Sequence, residues 1–317
     1  MAEATAVTPI GRLTPSCPGI WSDAHVDAWR PITQFISDQG SVPAIQIAHG
    51  GRKASYTTPG DTPKRNLNES EGGWQIVGPS SIQFDESYGV PKELTKQEIA
   101  ETTQQFVDGA LYSLEAGFEV VELHFAHGYL ASSFMSPISN QRTDEYGGSL
   151  ENRCRFALET ITAIRKAIPE SAPLIVRISS SEWVEGGWNI DDSVQLAKWM
   201  KDAGVDLVDA SAGGNNPNQV LDPTPGYQVP FADAIRNQAG IMTGAVGLIT
   251  DAQQAEDILQ AGQADAVFIG REIMRNPYWP LYAQAQLDGE SENWPKQYRQ
   301  ASLDFAYMGP VGQDVTG

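Results

Sequence analysis

The segment His124-Phe125-Ala126-His127-Gly128-Tyr129 places two imidazoles and a phenol in one short stretch of chain. Residues three apart fall on opposite faces of a continuing strand, so the histidines converge only if the chain leaves the strand at Ala126 and Gly128. Converged, they make a neutral or partly charged donor pair suited to a carbonyl or phenolate oxygen. Tyr129, with an ordinary pKa of about 10, is then a proton donor rather than a base. Two other readings stand beside this one: core histidines satisfied by packing against a tyrosine, or an HxxH metal site, for which the sequence offers no nearby third ligand. No metal is expected.

Three further features belong with this group. Gln46 and His49 end an apolar run just before Gly50-Gly51-Arg52, and a Gln amide can donate and accept toward a heterocyclic edge. Arg177 interrupts the apolar run Leu174-Ile175-Val176-Arg177-Ile178-Ser179. A guanidinium buried there must meet an anion, either a structural carboxylate or a ligand with delocalised negative charge. Finally, Thr243-Gly244-Ala245-Val246-Gly247 and Ile269-Gly270-Arg271-Glu272 are glycine turns after the last two strand-like runs, a place where barrels bind phosphate through backbone N–H groups. Together these residues describe a phosphate-tailed planar ring and a carbonyl-bearing substrate better than a sugar phosphate.

The elements that must position them alternate. β-Branched runs at 2–7, 42–49, 119–125, 174–179, 206–211, 240–246 and 265–270 have helical patterns between them, at 24–39, 96–116, 150–168, 191–203, 230–238 and 251–261. Thr95, Asp191 and Thr250 stand as N-caps, and Gly40, Gly117, Gly204 and Gly262 close helices. Alternation of strand and helix implies a parallel sheet, and runs apolar nearly throughout imply strands covered on both faces. No GxGxxG follows the first strand, which favours a (β/α)₈ TIM barrel over a doubly wound sheet. Only seven strands can be found, so the expectation is a barrel over residues 1–290 missing its first strand and helix, with a C-terminal tail at 291–317.

The chain has 317 residues, 41% of them hydrophobic, and a formal net charge of −19. That length buries a sizeable core, and that charge is the wrong sign for gripping nucleic acid or an anionic bilayer through the general field. No run approaches a membrane span and the first residues do not resemble a leader, so a cytoplasmic protein is expected. Cys17 and Cys154, far apart and in no CxxC pair, argue against a disulfide framework, a zinc site or an iron–sulfur domain.

The stretch HFAHGYLASSFMSPISNQRTDEYGGSLENRCRF, together with IQIAHGGRKA, LIVRIS, PGYQVPFADAIR, TGAVGLIT and DAVFIGRE in order, resembles the Old Yellow Enzyme flavoproteins, in particular their thermophilic-like branch. The resemblance implies an FMN-dependent ene-reductase that uses NADPH or NADH to reduce the activated C=C bond of an α,β-unsaturated carbonyl compound. It implies that Ala4, Gln46 and Arg177 contact the flavin ring and that Gly247, Gly270 and Arg271 hold its phosphate. His124 and His127 would bind the substrate carbonyl, hydride would pass from flavin N5, and Tyr129 would deliver the proton.

The sequence departs from the family at three places. The opening strand and helix, with a Cys and a Tyr near the ring, have no counterpart, and Cys17 lies in a different segment. The alternative reading is therefore a truncated, catalytically impaired barrel remnant. The loop from Ser55 to Leu94 is longer than usual for the branch, which suggests a lid or specificity element. Arg299 stands near the place where the family offers an Arg to a neighbouring subunit, implying a homo-oligomer.

Overall fold

A computed structural model describes residues 1–289 and 293–297. In chain order the elements are β1 (Ala2–Ala6), α1 (Asp23–Asp38), β2 (Ala44–Ala48), β3 (Val77–Gly78), β4 (Lys92–Glu93), α2 (Lys96–Glu115), β5 (Val120–Phe125), α3 (Leu130–Met135), α4 (Leu150–Ala167), β6 (Leu174–Ser179), α5 (Ile190–Asp202), β7 (Leu207–Ser211), α6 (Val229–Ala239), β8 (Met242–Ala245), α7 (Ala252–Gln260), β9 (Ala266–Val267), α8 (Arg271–Arg275) and α9 (Trp279–Asp288). Seven strands form one parallel sheet in the order β1-β2-β5-β6-β7-β8-β9, with helices in the crossovers. This is the strand–helix wind of a TIM barrel. Among the described residues no ladder joins β9 back to β1. The tail anticipated at 291–317 falls almost wholly outside the described residues, as does Arg299.

Period two along the strands sorts the site from the core. On β5, Val121, Leu123 and Phe125 lie on the helix-facing side, where Phe125 packs edge-on against Phe106 of α2 at 5.6 Å between ring centres. Glu122 and His124 therefore face the barrel interior. The register carries that face across the sheet, since Gln46 aligns with Glu122, His124 with Arg177, and Arg177 with Asp209. A polar row thus crosses the inside of a barrel whose outer face is sealed by aliphatic residues.

Caps explain where the helices start. Thr95 and Glu98 form a reciprocal capping box at α2, and Ser149 caps α4. Two anticipated caps need correction: Asn189 rather than Asp191 caps α5, accepting from the amides of Asp191 and Asp192, and Asp251 rather than Thr250 caps α7. The four helix-closing glycines have the left-handed φ that a C′ residue needs. The long 55–94 loop is structured: β3 and β4 pair, a short capped turn spans Glu69–Glu71, and Tyr56 stacks on Tyr88.

Candidate active site

The strand ends of β6 to β9 open on a cleft of about 290 Å³, lined by His127, Arg177, Ser211, Gln228, Gly247, Phe268, Gly270 and Arg271 among others. Five residues singled out from the sequence therefore share one cavity. His124 joins them through His127, and Tyr129 through His124, whose ring centre is 4.8 Å away. Gln46, on β2, donates to Glu122 Oε2 at 2.5 Å and does not itself line the cleft. Ala4 lies half-buried on β1, beside the strand that carries Gln46, and does not line the cleft.

The histidines converge because the chain turns sharply where the sequence suggested. His127 has a φ of 59°, a left-handed conformation uncommon outside glycine. Gly128 follows with its Cα against the backbone of Gly214 and Asn215, and Gly214 sits equally tightly against His127, so a Cβ at either position would collide with backbone. The turn is then held by two side chains from neighbouring parts of the barrel. The Ser179 hydroxyl accepts from the His127 amide at 2.8 Å, and the Lys53 ammonium bonds the carbonyls of His127 and Gly214 at 3.0 and 2.8 Å.

Their hydrogen bonds assign the tautomers. The His124 Nδ1 accepts from the Ala126 amide at 3.3 Å, so its Nε2–H donates to His127 Nδ1 at 3.3 Å, and His127 Nε2–H donates to the Ser211 hydroxyl at 2.8 Å. Both rings are neutral: burial drives the His127 pKa down to about 3, helped by Arg177 and Lys53, and lowers that of His124 well below its ordinary value. Burial raises the Tyr129 phenol to about 12, so it holds its proton throughout the neutral range. The same burial, reinforced by Arg52, lowers Lys53 to about 8.

Arg177 finds the carboxylate that burial demands: its Nε lies 3.2 Å from Asp209 Oδ2, and Asp209 is fully buried. The structural reading of this Arg and the ligand-binding one are not exclusive, because its side chain also reaches the cleft. At the other end, Arg275 is tied to Glu272 at 2.8 Å, while among the described residues Arg271 has no such partner.

Several residues of the site escaped sequence reasoning. Lys53 lies 5.5 Å from the Tyr129 ring and 4.3 Å from the ring of Phe84, which brings the long loop to the site. Glu122, Asp209 and Ser211 were missed too, although Glu122 and Asp209 break apolar strands just as Arg177 does.

Comparison with known proteins decides the class. The NADH:flavin oxidoreductase / NADH oxidase family matches residues 1–290. The chain belongs to that family. NADPH dehydrogenase of Bacillus licheniformis is 50% identical over 301 residues, 95% of this chain and 83% of its own length. NADPH dehydrogenase of Bacillus subtilis is 46% identical, over 92% of this chain and 80% of its own. Among solved structures, the old yellow enzyme homologue from Zymomonas mobilis superposes with a TM-score of 0.72 at 26% identity, covering 96% of this chain and 84% of that one. Morphinone reductase in complex with tetrahydroNAD superposes with a TM-score of 0.73 at 25% identity, over 90% of this chain and 77% of that one.

As an NADH:flavin oxidoreductase family member, the protein is an FMN-linked enzyme with a reduced nicotinamide as reductant. The cleft suits that cofactor on its own chemistry. The buried Arg177 Nε lacks a well-directed hydrogen-bond acceptor, two glycine turns flank the opening, and Arg271 is free to meet a phosphate. No helix among the described residues is long and apolar enough to cross a membrane, and none of their His, Cys, Asp and Glu side chains cluster as metal ligands.

Proposed function

We propose that the protein is an ene-reductase for α,β-unsaturated carbonyl compounds. The observation that carries this reading is the joining of His124, His127 and Tyr129 into one group at the edge of the cleft that holds Arg177 and the two glycine turns. Gln46 and Arg177 would hold the flavin ring, with Ala4 at its periphery, and Gly247, Gly270 and Arg271 the phosphate. Bound FMN supplies the hydride.

The protein's own residues supply the rest. A neutral imidazole donates a hydrogen bond to the substrate oxygen without carrying a charge into the pocket, and this polarises the conjugated alkene. Each imidazole N–H is spent on a neighbour, so the carbonyl oxygen must replace an acceptor that is already there. His127 Nδ1 and the Ser211 hydroxyl are the acceptors to be displaced. Tyr129, protonated at any physiological pH, donates its proton to the α-carbon, and the charge of Arg177 favours the developing phenolate. The barrel over 1–290 would work in the cytoplasm on small molecules, away from nucleic acid and membrane, as a homo-oligomer.

The test is direct. Purified protein reconstituted with FMN should show flavin absorbance, oxidise NADPH or NADH, and pass the electrons to a cyclic enone, the product detected by chromatography. A colourless protein, or one whose reduced flavin is reoxidised by oxygen but never by an enone, would overturn the reading.

A further inference from the structure

Beneath the cleft lies a polar group that the proposed chemistry does not use. Glu122 and Asp209 are both fully buried, on β5 and β7, either side of the strand that carries Arg177. Glu122 Oε2 accepts from Gln46 Nε2 at 2.5 Å. Its other oxygen, Oε1, has no partner as an acceptor, and neither oxygen of Asp209 has a donor in good geometry, although Arg177 Nε stands 3.2 Å from Oδ2. Three orphan oxygens in a dry interior would be costly. One proton accounts for two of them, and the neighbouring Arg177 guanidinium faces the third. If Glu122 carries it on Oε1 and donates to Asp209, then Oε2 is the carbonyl oxygen that receives Gln46, and Asp209 remains the anion that Arg177 needs.

We propose that Glu122 is a positioning residue that is protonated at neutral pH, which donates to the Asp209 carboxylate and fixes the Gln46 amide with its N–H₂ turned inward and its carbonyl oxygen left for the flavin. Arg177 and the carboxyl pair then sum to zero charge, so the site meets the flavin without an unbalanced field. The direction of the carboxyl titrations agrees. Burial raises both groups, the proximity of Asp209 raises Glu122 further, and Arg177 pulls Asp209 back down, which leaves the proton on Glu122. The role of this pair toward FMN rests on the placement of Gln46 and Arg177 at the flavin; the placement of the proton does not.

Glu122→Gln reproduces the protonated acid, since the amide can accept from Gln46 and donate to Asp209. Infrared spectra of the folded protein should contain the carbonyl band of a buried carboxylic acid, shifted in D₂O, that is absent in Glu122→Gln and present in wild type. FMN affinity, read by flavin fluorescence, should change less than about threefold in Glu122→Gln and weaken about tenfold or more in Glu122→Ala, where Gln46 loses its acceptor. Asp209→Asn combined with Glu122→Gln leaves Arg177 without either carboxylate, and should bind reduced FMN at least tenfold more tightly relative to oxidised, a rise of about 30 mV in the two-electron potential.

An acid band that survives Glu122→Gln and disappears in Asp209→Asn would place the proton on Asp209 and overturn the proposal. Equal losses of FMN affinity in Glu122→Gln and Glu122→Ala, or an unchanged potential in the double variant, would do the same. If Gln46→Ala and Arg177→Met both leave FMN affinity untouched, the flavin placement has failed instead, and the infrared result still reports on the proton.

Discussion

The two sides of the cleft are built on different principles. On the β5–β7 side, the groups that line the opening are held by other side chains: His127 by Ser211, Ser179 and Lys53, and Arg177 by Asp209. On the β8–β9 side there is little of this. β9 has only two paired residues, α8 is a single exposed turn, and Arg271 has no side-chain partner among the described residues. On the proposed function, the first side is pre-organised for chemistry on a ring and a carbonyl, and the second is a phosphate site of backbone amides and one cation that would be ordered by what it binds.

The contrast can be broken most severely at its chemical end. Replacing Tyr129 by Phe should slow oxidation of the reduced flavin by an enone about 10²- to 10⁴-fold while leaving flavin reduction by NADPH nearly unchanged, a split that stopped-flow absorbance resolves. Next in size, Arg177→Met strands Asp209 as a buried, uncompensated carboxylate and should cost about 3–5 kcal/mol of stability even without FMN, measured by urea unfolding of the apoprotein. If that variant were as stable as wild type, the claim that the β5–β7 side is internally braced would fail.

The opposite side should respond in the opposite way. Arg271→Ala should leave apoprotein stability within about 0.5 kcal/mol of wild type. It should weaken FMN by about tenfold, as expected for one charge-assisted contact worth about 1.5 kcal/mol, and the loss should shrink as salt is added. Hydrogen exchange gives the comparison its sharpest form: FMN should protect the amides of the Gly247 and Gly270 turns far more than those around His127.

The last effect is confined to acid pH. His124 and His127 have folded pKa values depressed below their unfolded value of about 6.5, so the unfolded chain takes up protons first as pH falls. Stability should therefore be fully present above pH 6.5 and decline below it, by at most about 1.4 kcal/mol per pH unit for each histidine until the folded group itself titrates, near pH 3 for His127. His127→Gln should flatten part of that decline in thermal melts.

Much of this was legible in the chain. The strands and helices showed as alternating periods, and the β6 run Leu174–Ser179 coincides with its observed bounds, because a strand sealed on its outer face must be apolar there. The last strand was overread: residues 265–270 look like a strand, but only Ala266 and Val267 pair with β8 before the chain departs. The helix α3 was invisible for the reverse reason. All six of its residues are buried, so it has no polar face from which to read a period. At the site, reasoning about buried charge found Arg177 but passed over Glu122 and Asp209, which carry the same signal. Attention to the ends of strands missed the carboxylates that hold the end residues in place. Lys53 could not have been found from spacing, because its partners lie 74 and 161 residues away.

The contact between Gly128 and Gly214 has a consequence for how this catalyst can change. Neither backbone can retreat from the other, and Lys53 clasps both, so the loop after β7 is a wall of the pocket and also the gauge that sets how far the His127 turn projects. Diversity introduced into that loop to admit a bulkier substrate would arrive at the imidazoles as a shift in aim. Substrate range and rate would then be inherited together along this seam. The 55–94 loop meets the site at Phe84, beside Lys53, and at the carbonyls of Ile82 and Gln83, which accept from Arg52; it lies off that seam and is the surface on which the two can be varied apart.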